Sequence, residues 1–181
     1  MKITKTPLSG LLIIEPTIFS DNRGYFFEEY QQERYVEHQI PTFVQHNVSR
    51  SKRNVLRGLH YQSPNGQGKL VNVIRGKVWD VAVDIRVNSP TFKQWFGITL
   101  SDETHTQFYI PPGFAHGFCV LSDEADFCYK CTAYYHPESE HGLAWNDPAL
   151  NISWPIQSPI LSPKDETYIT LNKIPHEQLF T

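Results

Sequence analysis

The chain has 181 residues, 40% of them hydrophobic and 13% aromatic, and a formal net charge of −3. That size supports one well-buried core, hence a single domain over residues 1–181, and the charge excludes a polybasic binder of nucleic acid or anionic membrane. Near the start, the only uninterrupted apolar run is Leu11 to Ile14, too short for a secretory leader or a membrane span, which predicts a cytoplasmic protein.

Thirteen prolines and ten glycines punctuate short apolar stretches and predict an all-β fold. In chain order, turn signals at Gly10, Asp21-Asn22 and Gly24 come first, then a modest helix at 31–39. Strands are predicted at 43–49, 56–62, 69–74, 77–86, 96–100, 107–110, 117–121 and 125–133. The clearest is 77–86, where Trp79, Val81, Val83 and Ile85 alternate with Val78, Asp80, Ala82 and Asp84. One face is therefore apolar and the other carries two carboxylates. Short strands separated by turns suit a jelly-roll β-barrel with a few short peripheral helices. Near the end, Ser162-Pro163-Lys164-Asp165-Glu166 reads as a turn leading into a short helix with an acid near its start.

Two segments concentrate the candidate chemistry, LRGLHYQ at 56–62 and PPGFAHGF at 111–118. In the first, alternation puts Gly58, His60 and Gln62 on one face and Arg57 on the other, unless a bend at Gly58 brings Arg57 round. In the second, Pro111, Gly113 and His116 fit the second cupin motif, P-x-G-x-x-H, and the turn aims His116 across a barrel mouth. A turn cap is its alternative reading. Where a cupin carries the H-x-H half of its metal site, this chain reads His60-Tyr61-Gln62, so no metal is expected and His60 reads as an acid–base residue. By itself, His60 could equally be a hydrogen-bonded core histidine.

Gln45, Asn47 and Ser49 share one strand face and offer amide and hydroxyl groups for a sugar or base, with His46 facing away. Arg23, Arg57, Lys69 and Lys164 are scattered; singly they are surface charges, but gathered at one opening they suit a diphosphate. The run Arg50, Lys52, Arg53 lacks interleaved aromatics and reads as a solvated loop. Among Tyr129, Tyr134 and Tyr135, a phenol inside the barrel can donate a proton and one at the rim can stack on a planar ring; strand packing is the alternative. Cys128 and Cys131 form a C-x-x-C, but on a strand that offset turns the thiols to opposite faces, and no second pair completes a zinc site. With an odd total of three cysteines, no disulfide framework is expected.

Taken in order, DNRGYFFE at 21–28, QHN at 45–47, VLRGLHYQ at 55–62, GKLV at 68–71, VWDVAVDIR at 78–86, PPGFAHGF, YKCTAYY at 129–135, Glu140, WNDPALNISWP and LSPKD at 161–165 resemble the dTDP-4-dehydrorhamnose 3,5-epimerase family. The resemblance implies a cofactor-free enzyme with His60 as general base, Asp165 as its supporting carboxylate, Tyr129 as opposing proton donor and Lys69 at the C4 oxygen of the sugar. It also implies that Arg23, Glu28, Gln45, Asn47, Arg57, His116, Glu140 and Lys164 hold the nucleotide-sugar, that Tyr135 stacks on thymine, and that the enzyme is a homodimer with exchanged N-terminal segments. The chain departs from the family pattern at His46, where an acid is frequent, and at Lys93, where glycine is common.

The implied substrate, dTDP-4-dehydro-6-deoxy-D-glucose, carries a C4 ketone that acidifies the hydrogens at C3 and C5, so inversion is proton chemistry without a redox step. Three alternatives remain at this level: a monofunctional 3- or 5-epimerase or a 3,4-ketoisomerase, a metal-dependent cupin, and a non-catalytic sugar-binding jelly roll.

Overall fold

The computed structural model describes residues 1–181. Strand β1 (Lys2–Lys5) pairs with β2 (Leu12–Glu15), and a separate hairpin of β3 (Phe19–Asp21) and β4 (Gly24–Phe26) follows. Helix α1 (Gln32–Glu37) begins at Gln31, whose side-chain oxygen accepts from the Arg34 N–H at 2.8 Å, satisfying one amide that the first turn leaves unpaired. The barrel proper is built from β5 (Gln45–Lys52), β6 (Leu56–Gln62), β7 (Lys69–Arg75), β8 (Lys77–Asp84), β9 (Trp95–Ser101), β10 (Gln107–Ile110), β11 (Phe114–Val120), β12 (Glu124–Cys131) and β13 (Glu140–Gly142). No helix is long and apolar enough to cross a membrane.

The strands form two antiparallel sheets, one ordered β1-β2-β10-β7-β12-β5 and the other β13-β6-β11-β8-β9. Side chains from both, including Val73, Val78, Leu100, Phe108, Phe118 and Phe127, make one core between the sheets, as a jelly roll requires. The outer faces are covered as well. Leu59, Val81, Val83 and Ile85 pack under the C-terminal segment through Leu150, Leu171, Ile174 and Leu179, while Ile14, Leu70 and Tyr109 pack under Tyr35 of α1 and Ile40.

This double coverage explains β8. Its apolar face lies beneath the C-terminal segment, and its carboxylate face turns into the barrel, where Asp80 and Asp84 have fully buried side chains. Buried carboxylates need partners, and both have them. Asp84 accepts hydrogen bonds from Arg86, Ser89 and Thr91; Asp80 is bonded to His116.

All the predicted strands form, those at 56–62 and 107–110 with the expected bounds and the others with ends shifted by no more than three residues, and the predicted helix at 31–39 is shorter. Strands β1 to β4 and β13 had no clear alternation to announce them, being only three or four residues long. One expectation is corrected. Arg50 and Lys52 lie on edge strand β5 rather than in a loop, with Arg53 just beyond it. Cross-strand ion pairs, Arg50–Asp126 at 2.6 Å and Arg53–Asp123 at 3.0 Å, hold the basic run against the next strand and its turn.

Candidate active site

A cavity of about 370 Å³ opens between the two sheets. From β5 it receives Gln45, Asn47 and Ser49, three residues on one strand face as alternation predicts. Lys69 comes from β7 and Phe127 and Tyr129 from β12, all on the six-stranded sheet. Across from them, the five-stranded sheet supplies Arg57 and His60 from β6, His116 and Phe118 from β11 and Glu140 from β13, and Tyr135 stands at the rim. His116 is a mid-strand residue, so the alternative of a turn cap falls away.

Arg57 and His60 are three apart, yet both line the cavity. The pairing of β6 with β11 explains it: His60 faces His116 and Arg57 faces Phe118, so three steps on one strand span two on the other. This is a β-bulge, which absorbs one residue and restores the common face. Gly58 makes it possible. Its φ is +122°, and a Cβ there would sit 2.6 Å from the Gly117 Cα.

His60 Nε2 lies 2.6 Å from Oδ1 of Asp165, a nearly buried residue at the start of the short 3₁₀ turn Asp165–Thr167. Burial alone would raise that carboxyl, but hydrogen bonding and charge attraction to His60, with help from Ser162, hold it below the ordinary range. The ring of Tyr168, the residue just after that turn, meets the His60 ring edge-on at 5.7 Å between centroids. On the facing sheet, burial pushes the Tyr129 phenol up, reinforced by Cys131 and Glu140, so it stays protonated at neutral pH. Burial lowers Lys69, while Cys131, Glu140 and Asp80 pull it back up.

At the mouth, the Tyr135 hydroxyl donates to Glu140 at 2.6 Å and Lys164 pairs with the same carboxylate. Burial raises Glu140, but the bonds from Lys164 and Tyr135 outweigh it and keep the carboxyl low. Cys131, pushed up by burial, lies on the cavity side of β12, where Asn47 contacts its sulfur at 3.9 Å; Cys128 is on the other face, and all three thiols are free.

Two sequence-predicted residues lie away from this cavity. Arg23 sits at the tip of the β3–β4 hairpin, held by Asp21 at 2.6 Å, and Glu28 pairs with Arg34 at 3.0 Å. Conversely, Asp80 and Tyr168 adjoin the site although the sequence reading assigned them no part in it. Alternation of carboxylates with an apolar face at 77–86 was the available signal for Asp80; Tyr168 had none.

The family model for dTDP-4-dehydrorhamnose 3,5-epimerase matches residues 5–173. The chain belongs to that family. The Shigella flexneri dTDP-4-dehydrorhamnose 3,5-epimerase is 52% identical over 168 residues, covering 91% of this chain and 93% of that protein. A longer Neisseria gonorrhoeae relative of the same name is 54% identical over 167 residues, which is 91% of this chain and 51% of that one. Among solved structures, the dTDP-6-deoxy-D-glucose-3,5-epimerase of Legionella pneumophila Philadelphia 1, in complex with dTDP-4-keto-L-rhamnose, superposes with a TM-score of 0.96 at 55% identity over 99% of this chain and 97% of that one. Within this 3,5-epimerase family chain, the base and donor candidates stand on facing sheets of one cavity.

Proposed function

We propose that the protein inverts C3 and C5 of dTDP-4-dehydro-6-deoxy-D-glucose to give dTDP-4-dehydro-L-rhamnose. The observation that carries this reading is the arrangement of His60, bonded to Asp165 at 2.6 Å, across a shared cavity from Tyr129 and Lys69. Inversion needs a proton taken from one face of the sugar and one returned to the other, and residues on facing sheets meet that demand. His60 takes the proton through Nδ1, the nitrogen left free by the bond to Asp165; the carboxylate fixes the tautomer and favours the imidazolium that forms. Lys69 stabilises the charge that gathers on O4 of the enolate. Tyr129 returns a proton from the other side, a weak acid facing a strongly basic carbon.

Gln45, Asn47, Arg57, His116, Glu140 and Lys164 hold the nucleotide-sugar, and Tyr135 stacks on the thymine. Binding the diphosphate and base fixes the reacting carbons and lets remote contacts lower the barrier. Arg23 and Glu28 join this set from a second copy of the chain, in a homodimer with exchanged N-terminal segments. The hairpin fits that role because Phe19, Tyr25 and Phe26 are 60–69% exposed, an apolar surface that a partner would cover. Three free, buried cysteines suit a reducing, cytoplasmic setting.

The test is proton NMR of the 4-keto sugar nucleotide with enzyme in D2O, with a reductase trapping the product. Deuterium at both C3 and C5 and the L-lyxo product support the reading. Exchange at one centre alone assigns a monofunctional relative, and no exchange with verified binding removes the proton chemistry.

A further inference from the structure

A second carboxylate–imidazole pair lies beside the first. His60 and His116 are Cα partners on neighbouring strands, both rings line the cavity, and each commits Nε2 to a carboxylate. For His116 the carboxylate is Asp80, whose two oxygens lie 3.0 and 2.9 Å from Nε2. Asp80 is fully buried, which raises its carboxyl; the bond to His116 and the charge of Lys69 oppose that rise. Phe127 lies near the His116 ring in a stacked orientation, 6.0 Å between centroids.

The fold gives no reason for a charge at this position. Val78 and Ala82, the inward neighbours of Asp80 on β8, belong to the apolar core. A buried carboxylate carries a desolvation cost that an apolar side chain there would avoid. What Asp80 does supply is a fixed ring. An ionised carboxylate requires a proton on Nε2, which leaves Nδ1 as the one nitrogen of His116 open to a ligand.

We propose that Asp80 is a positioning residue for this site, acting through His116. It locks the imidazole with Nε2–H on the carboxylate, which leaves Nδ1 to meet a polar group of the bound molecule. That the molecule is a nucleotide-sugar rests on the epimerase reading; the state of the ring does not.

Two measurements test the proposal. In ¹⁵N-histidine-labelled wild-type protein, the neutral His116 ring is expected to carry its proton on Nε2; a proton on Nδ1 with bare Nε2 overturns the proposal without any variant. The second is a double-mutant cycle of Asp80→Asn and His116→Asn on kcat/KM for the keto sugar nucleotide. Each single change is expected to lower it about tenfold or more, and the double variant to be no worse than the weaker single variant within about twofold. Losses that multiply, or Asp80→Asn activity within about twofold of wild type, overturn it. Should wild type show no turnover, the epimerase reading fails, and the same cycle read on dTDP affinity decides the role of Asp80.

Discussion

Asp165 reaches His60 across 105 residues of chain to bring its Oδ1 within 2.6 Å of Nε2. The carboxylate arrives on a short 3₁₀ turn in the C-terminal segment, while the histidine is held on a barrel strand. The proposed base therefore depends on how the tail docks. Asp165→Asn keeps the shape and removes the charge, and it is expected to lower kcat about a thousandfold while leaving dTDP affinity within about threefold. Steady-state kinetics with calorimetric titration of dTDP checks both halves.

Tyr129 faces His60 from the opposite sheet, and burial holds its phenol protonated. Tyr129→Phe is expected to retain wash-out of substrate hydrogen into D2O while losing inverted product, because abstraction remains and return from the far face does not. Product inversion at wild-type rate would remove Tyr129 from the proton path.

Asp84 gives a pH prediction. Burial would raise it, yet the hydrogen bonds from Arg86, Ser89 and Thr91 pull it down to about 2. A carboxyl lowered on folding stabilises the native state fully above its ordinary unfolded value, and this stabilisation disappears as pH falls through about 2. The shift is worth about 2 kcal/mol. Asp84→Asn is expected to cost about that much at pH 7, with the gap to wild type closing toward pH 2, in denaturant melts across pH.

Much of this architecture was legible from alternation and turn chemistry. Gln45, Asn47 and Ser49 share the face their spacing predicts, and Cys128 and Cys131 face apart. What was hidden depends on contacts distant in sequence. No local pattern tells that the C-terminal segment covers β8, so the inward course of Asp80 and its bond to His116 were invisible. The Arg50 run looked like a loop because its balancing acids, Asp123 and Asp126, belong to another part of the chain. Arg23 and Glu28 carried motif information that the single chain does not bring to the cavity.

Lys93, a departure from the family pattern, adopts φ +70°, in the left-handed region that glycine occupies freely. Its ammonium donates to Asn172 at 2.8 Å and lies 5.3 Å above the Phe92 ring, both modest surface contacts. Relief of the backbone outweighs them. Lys93→Gly is expected to stabilise the protein by about 0.5–1 kcal/mol, read from the denaturation midpoint, with catalysis unchanged.

Gly58 allows the least change. With φ +122° and Gly117 backbone in the space a Cβ would take, Gly58→Ala is expected to destabilise by about 2 kcal/mol or more and to lower Tm by several degrees. Thermal melts of the variant beside wild type measure it.

The bulge also sets a rule for transplanting this chemistry. On a regular strand, side chains three apart face opposite ways, so R-x-x-H keeps both groups inside only where the neighbouring strand is one residue shorter, as between Arg57–His60 and His116–Phe118. Copied onto an unbulged barrel strand, the same four letters would send either the arginine or the histidine outward. A graft there would need R-x-H.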